Sequence, residues 1–419
     1  MKRRELKNKD TEIYHLLKKE KKRREKGLEL IPSENHTHPA VLSPLSSILS
    51  DKYAEGYPGK RYYGGNGVID RIEDLCIERA KKLFRVEHVN VQPYSGSPAN
   101  HAVYFALLSP GETVMGMNLQ TGGHLTHGSK VNFSGKHYKP VSYGVSRKTG
   151  KIDYDEVKRI AKKEKPKLIF AGTTAYPRKL NFKKFKEIAN SVGAYLCVDI
   201  AHIAGLVAGG AHPSPAMHAD VITTTTHKTL RGPRGGMIMV TKKGTKKDKD
   251  LPSKIDRAVF PGIQGGPHEN TIAGIAVCLK EASQKSFTGY AKDVVENGKH
   301  LAKELKKRGF KLVSGGTDNH LMVIDLRDKN ISGREAQKLL DRAGITVNMN
   351  TVPFDPNPPG NPSGIRLGTP AITTRGMKKK EVEKIAEFIN RVLEKREEKE
   401  VKKVEKEVKT LCRRFPIPK

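Results

Sequence analysis

Lys228 sits in the run VITTTTHKTLRGPRGG at residues 221–236, after four threonines and a histidine and before a glycine-rich turn. An amine at the end of a buried strand, next to glycines that let backbone approach a ligand, suits attack on a carbonyl to form a Schiff base. That chemistry needs a lowered pKa, so that the amine is neutral. Taken alone, such a lysine could equally end in an ion pair or reach along apolar surface to solvent. Upstream, CVDIAHIAG (197–205) puts Asp199 and, three residues on, His202 at the end of another apolar run, where strands deliver polar groups to ligands. A buried carboxylate there needs a cationic partner. In YSGSPANHA (94–102), Ser95, Gly96 and Ser97 precede an apolar helix and can offer hydroxyls and backbone N–H groups to a phosphate, although the triplet alone could be a helix cap. Lysine, acid and phosphate cup together are what pyridoxal phosphate requires: a Schiff-base partner, a group that keeps the ring nitrogen protonated, and anion donors.

These residues need a frame that brings strand ends together, and the surrounding pattern predicts one. The runs PKLIFAG, AYLCVDI, DVITT and GMIMVT, with helices such as FKKFKEIANSV between some of them, predict a buried, mostly parallel sheet. IDRIEDLCIERAKKLF (69–84) has helical apolar spacing and opens this region. From about 285 the pattern changes to a helix over 292–308, the strand NHLMVIDLR, the helix SGREAQKLLDRAG, the strand ITVNM and one long C-terminal helix from about 377. The expected organisation is an N-terminal helical arm over 1–50, a large α/β domain over 51–285 and a smaller α/β domain over 286–419.

The chain has 419 residues and 36% hydrophobic content, enough for two or three cores. It has no apolar run of membrane-spanning length, and its basic start MKRRELKNKDTEIYHLLKKEKKRREKG lacks the apolar segment of a secretory signal, so a cytoplasmic protein is expected. Cys76, Cys197, Cys278 and Cys412 form no paired or zinc-like spacing; reduced buried thiols and no metal site are expected. The net charge of +33 is carried largely by mixed Lys/Glu segments such as KKEKKRREK and EKREEKEVKKVEKEVK. Such segments read either as solvated helix faces or as a weak binding surface for RNA or another polyanion.

The stretches LIPSEN, DKYAEGYPGKRYYGG, VQPYSGSPAN, GGHLTHGS, VDIAHIAGLVA, TTTTHKTLRGPRGG, VFPGIQGGPHEN and SGIRLGTPAITTRG together resemble the serine hydroxymethyltransferase family, in family order from about residue 29 onward. The resemblance implies a fold-type I pyridoxal-phosphate enzyme, similar in architecture to aspartate aminotransferase, with a mostly parallel seven-stranded sheet in the large domain. It implies reversible conversion of L-serine and tetrahydrofolate to glycine and 5,10-methylenetetrahydrofolate, in a homodimer or dimer of dimers with shared sites. Carried over onto this chain, it implies that Lys228 bears the cofactor, Asp199 pairs with its ring nitrogen, His202 bonds the ring-oxygen side and His124 stacks on the ring. Ser95, Gly96 and Ser97 would cup the phosphate, Thr174 would stand near the cofactor oxygen, His227 would also bind the cofactor, and Tyr53, Gly265 and Gly266 would come from the neighbouring subunit. Arg366 would take the substrate carboxylate through two parallel hydrogen bonds, assisted by Ser33, with Tyr63 close to the reacting carbon. Glu55, flanked by Tyr53 and Tyr57, is the expected proton shuttle, and Tyr62, Leu119, Gly123, Leu125 and Asn350, with Glu55, would hold the folate.

Several residues depart from the family pattern. Pro32 and Pro98 replace a small residue and a glutamine, the first expected to stiffen the entry strand and the second to suit helix position N1. Thr174 stands in place of a serine, and VPFDPNPPGNPSG makes the loop near the folate site proline-rich. Two alternatives are a folate-independent aldolase acting on threonine or other β-hydroxy amino acids, which would not need Glu55 or GGHLTHGS, and the same transfer with a non-folate pterin.

Overall fold

The computed structural model describes residues 2–418. Seven short strands form its central sheet: β1 (His88–Asn90), β2 (Thr113–Met117), β3 (Lys139–Tyr143), β4 (Leu168–Gly172), β5 (Tyr195–Asp199), β6 (Val221–Thr225) and β7 (Gly236–Val240). They lie in the order β1-β7-β6-β5-β4-β2-β3. The pairs from β3 across to β6 are parallel, and β7 runs antiparallel to both of its neighbours. Strands β4, β6 and β7 are buried at every residue, as a sheet covered on both faces requires.

Helices α1 (Thr11–Lys26), α2 (Gly67–Phe84), α3 (Gly96–Leu107), α4 (Glu269–Ala282), α5 (Lys285–Lys307), α6 (Lys379–Lys395) and α7 (Glu398–Arg414) supply most of the remaining packing. Pro98 is the third residue of α3 rather than N1, because the helix already starts at Gly96; it is tolerated because first-turn N–H groups have no intrahelical partner.

A second core lies on the antiparallel sheet β8 (Lys311–Leu312), β9 (Leu321–Asp325), β10 (Asn348–Asn350) and β11 (Gly364–Gly368), ordered β8-β9-β11-β10. Leu28 and Leu30 join this core, and Leu28–Glu29 pairs in parallel with Ile345–Thr346, so the entry segment is anchored on the C-terminal unit. The single long C-terminal helix expected from about 377 is two helices. Arg396 adopts a left-handed conformation (φ 57°) that ends α6 and lets α7 turn back, where Val401, Val404 and Val408 bury with Val392 and Leu393. Arg391 then bridges the pair through Glu400 at 2.7 Å and Glu407 at 2.8 Å.

Asp220 fixes the register of the strands that deliver the chemistry. It is fully buried, takes the Leu196 N–H at 2.8 Å and pairs with Lys186 Nζ at 2.5 Å, tying β6 to β5 and to the helix above. Asp220→Ala strands a mostly buried ammonium and an amide, and is expected to destabilise the fold by about 3 kcal/mol, seen as a lowered Tm in thermal unfolding. All four cysteines are buried and free.

Candidate active site

Parallel strands place their C-terminal ends side by side, and here those ends converge on Asp199. It closes β5, and its neighbour across the pairing is Gly172 of β4, where an added Cβ would lie 2.7 Å from the Asp199 Cβ. Asp199 Oδ2 accepts from Asn100 Nδ2 at 2.9 Å and faces His127 Nε2 at 3.0 Å, while Oδ1 accepts the Ala201 N–H at 2.9 Å. Burial alone would raise its pKa, but His127, His124 and the Asn100 donor outweigh it and hold the carboxyl well below the usual range. Asn100 is itself fixed, accepting from Thr223 Oγ1 at 2.6 Å and donating to Thr126 Oγ1 at 2.8 Å. It lies one turn into α3, so the helix whose N-terminus carries Ser95, Gly96 and Ser97 also clamps the carboxylate.

Lys228 follows β6 after Thr226 and His227. Burial, helped by the positive charges of Arg366 and Arg234 and opposed by Asp199, lowers its pKa to about 8. Asn35 of the LIPSEN stretch donates to the Lys228 carbonyl at 3.1 Å, which fixes the backbone beneath the amine. His202 is buried, with Nδ1 3.3 Å from His320 Nε2. Burial and the nearby charges of Lys228 and Arg366 push its pKa far down, so the ring is neutral. His124 Nδ1 lies 2.8 Å from Thr126 Oγ1, and burial with its cationic neighbours lowers its pKa to about 4. Arg366, on β11, donates from Nε to Asn348 Oδ1 at 3.0 Å and from Nη1 to the Thr174 carbonyl at 2.7 Å. The Thr174 backbone thus joins Arg366 to the end of β4. Ser33 is held close by: Pro32 packs on Gly368, the last residue of β11, whose N–H donates to Leu30 at 2.7 Å.

A second set of expected residues gathers elsewhere. Gly265 abuts Glu55, an added Cβ lying 3.2 Å from Oε1, and Gly266 abuts the Tyr53 ring at the same distance. Tyr53 meets Tyr63 with ring centroids 5.2 Å apart, and Tyr62 meets Phe260 at 5.6 Å. Tyr94 donates to the Gly266 carbonyl at 2.8 Å and stacks on His268. Tyr53, Tyr62 and Tyr63 are 59%, 76% and 47% exposed. Among the described residues, no hydrogen bond, ring contact or ion pair ties this set to Lys228. Of the remaining expected residues, Leu119 and Leu125 are exposed, Gly123 packs on the Met117 carbonyl and Asn350 lies on β10.

The first set fits the cofactor its chemistry suggests. A lysine with a lowered pKa stands beside a carboxylate locked in its anionic form. Next to that lysine, the buried His227 Nδ1 has no hydrogen-bond partner among the described residues. Among the described residues Ser95 makes no side-chain capping bond at the N-terminus of α3. An added Cβ at Gly96 would come within 2.7 Å of Thr225 Cγ2, so glycine keeps this cradle open. Sequence reasoning missed Asn100, His127, Arg234 and His320. Only His127 carried a local signal, its position three residues after His124 in GGHLTHGS.

Sheet order, an antiparallel strand between the parallel strands and the short edge strand, and a buried lysine of lowered pKa at the strand ends accord with the class of fold-type I pyridoxal-phosphate enzymes. Within that class, the family model described as serine hydroxymethyltransferase matches residues 6–389, and the chain belongs to the serine hydroxymethyltransferase family. It is a pyridoxal-phosphate-dependent transferase that interconverts serine and glycine, with tetrahydrofolate as co-substrate. Among the described residues, no helix is long and apolar enough to cross a membrane.

Proposed function

We propose that the transfer runs on a site shared between two copies of the chain. Each copy contributes Lys228, Asp199, His124, His202, Thr174, Arg366 and the phosphate cup, and its partner contributes Tyr53, Glu55, Tyr63, Gly265 and Gly266. The observation that carries this reading is the exposure of the second set, whose Tyr53, Tyr62 and Tyr63 lie largely in solvent beside Glu55, Gly265 and Gly266. Monomeric proteins seldom leave such side chains in water together. The arrangement assigned to the chain is a large cofactor-binding unit over 51–285 and a smaller unit over 286–419, with the N-terminal arm divided between them: Leu28 and Leu30 join the smaller core and Val41 the larger.

When bound, pyridoxal phosphate supplies an electron sink for the pair released as the serine Cα–Cβ bond breaks. Asp199 keeps the proton on the ring nitrogen that makes this possible, and its three donors stop it from taking that proton itself. The lowered pKa of Lys228 keeps a substantial fraction of the amine neutral and nucleophilic near pH 8. His124, with its Nδ1 engaged by Thr126, presents a neutral ring face, and His202 and Thr174 orient the ring-oxygen side. Glu55 moves a proton between the serine hydroxyl oxygen and the folate nitrogen. Tyr62, Leu119, Gly123, Leu125 and Asn350 hold the folate, and the positive surface favours a polyglutamate tail. Four buried, unpaired thiols accord with a reducing compartment, the cytoplasm.

Arg366 binds the amino-acid carboxylate. Its Nε and Nη1 bonds aim the guanidinium and leave Nη2 without a protein partner among the described residues. Arg366→Lys keeps a charge and loses the planar fork. It is expected to raise the serine KM by about 10–100-fold with a smaller change in kcat, as steady-state kinetics would report. An unchanged KM would remove Arg366 from the substrate site.

A further inference from the structure

The hairpin that carries Glu55 is fastened from below by a buried arginine. Arg61 donates from Nη1 to the carbonyls of Ala54 at 2.8 Å and Gly56 at 3.1 Å, the residues on either side of Glu55. Its Nε and Nη2 bond Asp70 at 2.9 Å and Glu73 at 2.7 Å, both on α2. Gln92 braces the same point, donating to Glu73 at 2.8 Å and to the Gly56 carbonyl at 2.9 Å. A third carboxyl, that of Glu269, stands 3.9 Å from Arg61 Nη1, within ion-pair range but beyond hydrogen-bond distance. It is 1% exposed, and both of its oxygens are buried without a hydrogen-bond partner among the described residues. Glu269 opens α4, directly after the 264–268 loop that meets Glu55 and Tyr53.

One guanidinium already faces two hydrogen-bonded carboxylates, and a third buried anion would have no compensating charge. Burial raises the Glu73 carboxyl as well, but Arg61 and Gln92 donate to it, whereas Glu269 has no donor among the described residues, so the proton falls to Glu269. Among the other charged groups on the packed elements, the Arg79 guanidinium of α2 donates to the Ala276 carbonyl at 2.7 Å, two turns further along α4, and the buried Cys76 thiol adds no cation.

We propose that Glu269 is a positioning residue: as a neutral acid it lets Arg61 hold the Glu55 hairpin against the 265–266 loop, and its ionisation in alkaline solution loosens that hold. The consequence is loss of hydroxymethyl transfer with the amino-acid site left intact. The inference rests on the role proposed above for Glu55. Burial, with the charges of Glu73 and Asp70 set against Arg61, pushes Glu269 up to about 8. The folded state therefore keeps a proton that the unfolded chain has lost above the ordinary carboxyl range, and its stability falls as pH rises from that range through about 8.

The test is Glu269→Gln, a neutral isostere, in the full-length holoenzyme. Above pH 8 the wild-type kcat with serine and tetrahydrofolate is expected to fall by about tenfold per pH unit, while the variant stays level and the serine KM is alike in both. The Tm of the variant should gain on the wild type between pH 6 and pH 9. Glu29, pushed up to about 8 chiefly by burial and by Glu34, and Lys228 titrate in the same window. Both are unchanged in the variant, so the difference between the two proteins isolates Glu269. Identical alkaline limbs, or a Tm difference constant with pH, would overturn the proposal. Should the glutamine variant not fold, Glu269→Asn carries the same comparison. If Glu55→Gln left kcat untouched, the role of Glu55 would fail instead, and the Tm comparison would decide the Glu269 assignment by itself.

Discussion

Lys228→Ala is expected to abolish serine–glycine exchange, with kcat lowered by at least about 10³-fold, and to leave the protein folded but unable to hold pyridoxal phosphate through dialysis. In the proposed role the side chain is a chemical participant rather than a strut. Its carbonyl, not its amine, makes the hydrogen bond to Asn35. Removing the amine also lifts the desolvation cost of a cation beside Arg366 and Arg234, so the variant Tm should equal or exceed that of the wild-type apoprotein. In the wild type, only the neutral amine attacks the cofactor carbonyl. The sign of the shift therefore fixes the pH dependence: reconstitution of the apoprotein should speed up with rising pH and level off above about 8. A rate that is flat from pH 6 to 9 would contradict the lowered pKa.

Glu55→Gln should lower kcat for the tetrahydrofolate-dependent reaction by about 10²–10⁴-fold while the cofactor still binds, because the amide keeps the shape of the side chain and loses the proton transfer. The proposed sharing of sites between two copies adds a sharper expectation. Co-expressed Lys228→Ala and Glu55→Gln chains form hybrid dimers in which one site draws a wild-type lysine from one copy and a wild-type glutamate from the other. Random pairing makes half of the dimers hybrids with one intact site each, so about a quarter of wild-type activity should return. If Glu55 served the lysine of its own chain, every site would lack one of the two groups and the mixture would stay inactive.

The strand-end logic made part of this site legible in the sequence. Lys228 and Asp199 close apolar runs that cannot be anything but buried, and a charged group there demands a chemical reason. Asn100 and His127 offered no such contrast, since an asparagine inside an amphipathic helix and a second histidine in a loop acquire meaning only when α3 and the 125–128 turn meet the end of β5. The four apolar runs correspond to β4 to β7, whereas β1 and β3 carry polar residues such as His88, Asn90, Lys139 and Ser142, and left no periodic signal. The continuous Lys/Glu pattern of 377–414 hid a helix break, because Arg396 reverses the chain through a backbone conformation that side-chain spacing does not encode. Glu269 shows the same limit. A glutamate at a helix start looks like an ordinary dipole partner until the fold buries it against Arg61 and Glu73.

The central claim is that Lys228, and no other of the many lysines, carries the cofactor. Borohydride reduction of the reconstituted wild-type protein, followed by proteolysis and peptide mass analysis, tests it directly. The phosphopyridoxyl group should appear on the peptide spanning Lys228 and be absent from Lys228→Ala treated in parallel. A label on another lysine, or equal labelling of the two proteins, would contradict the account.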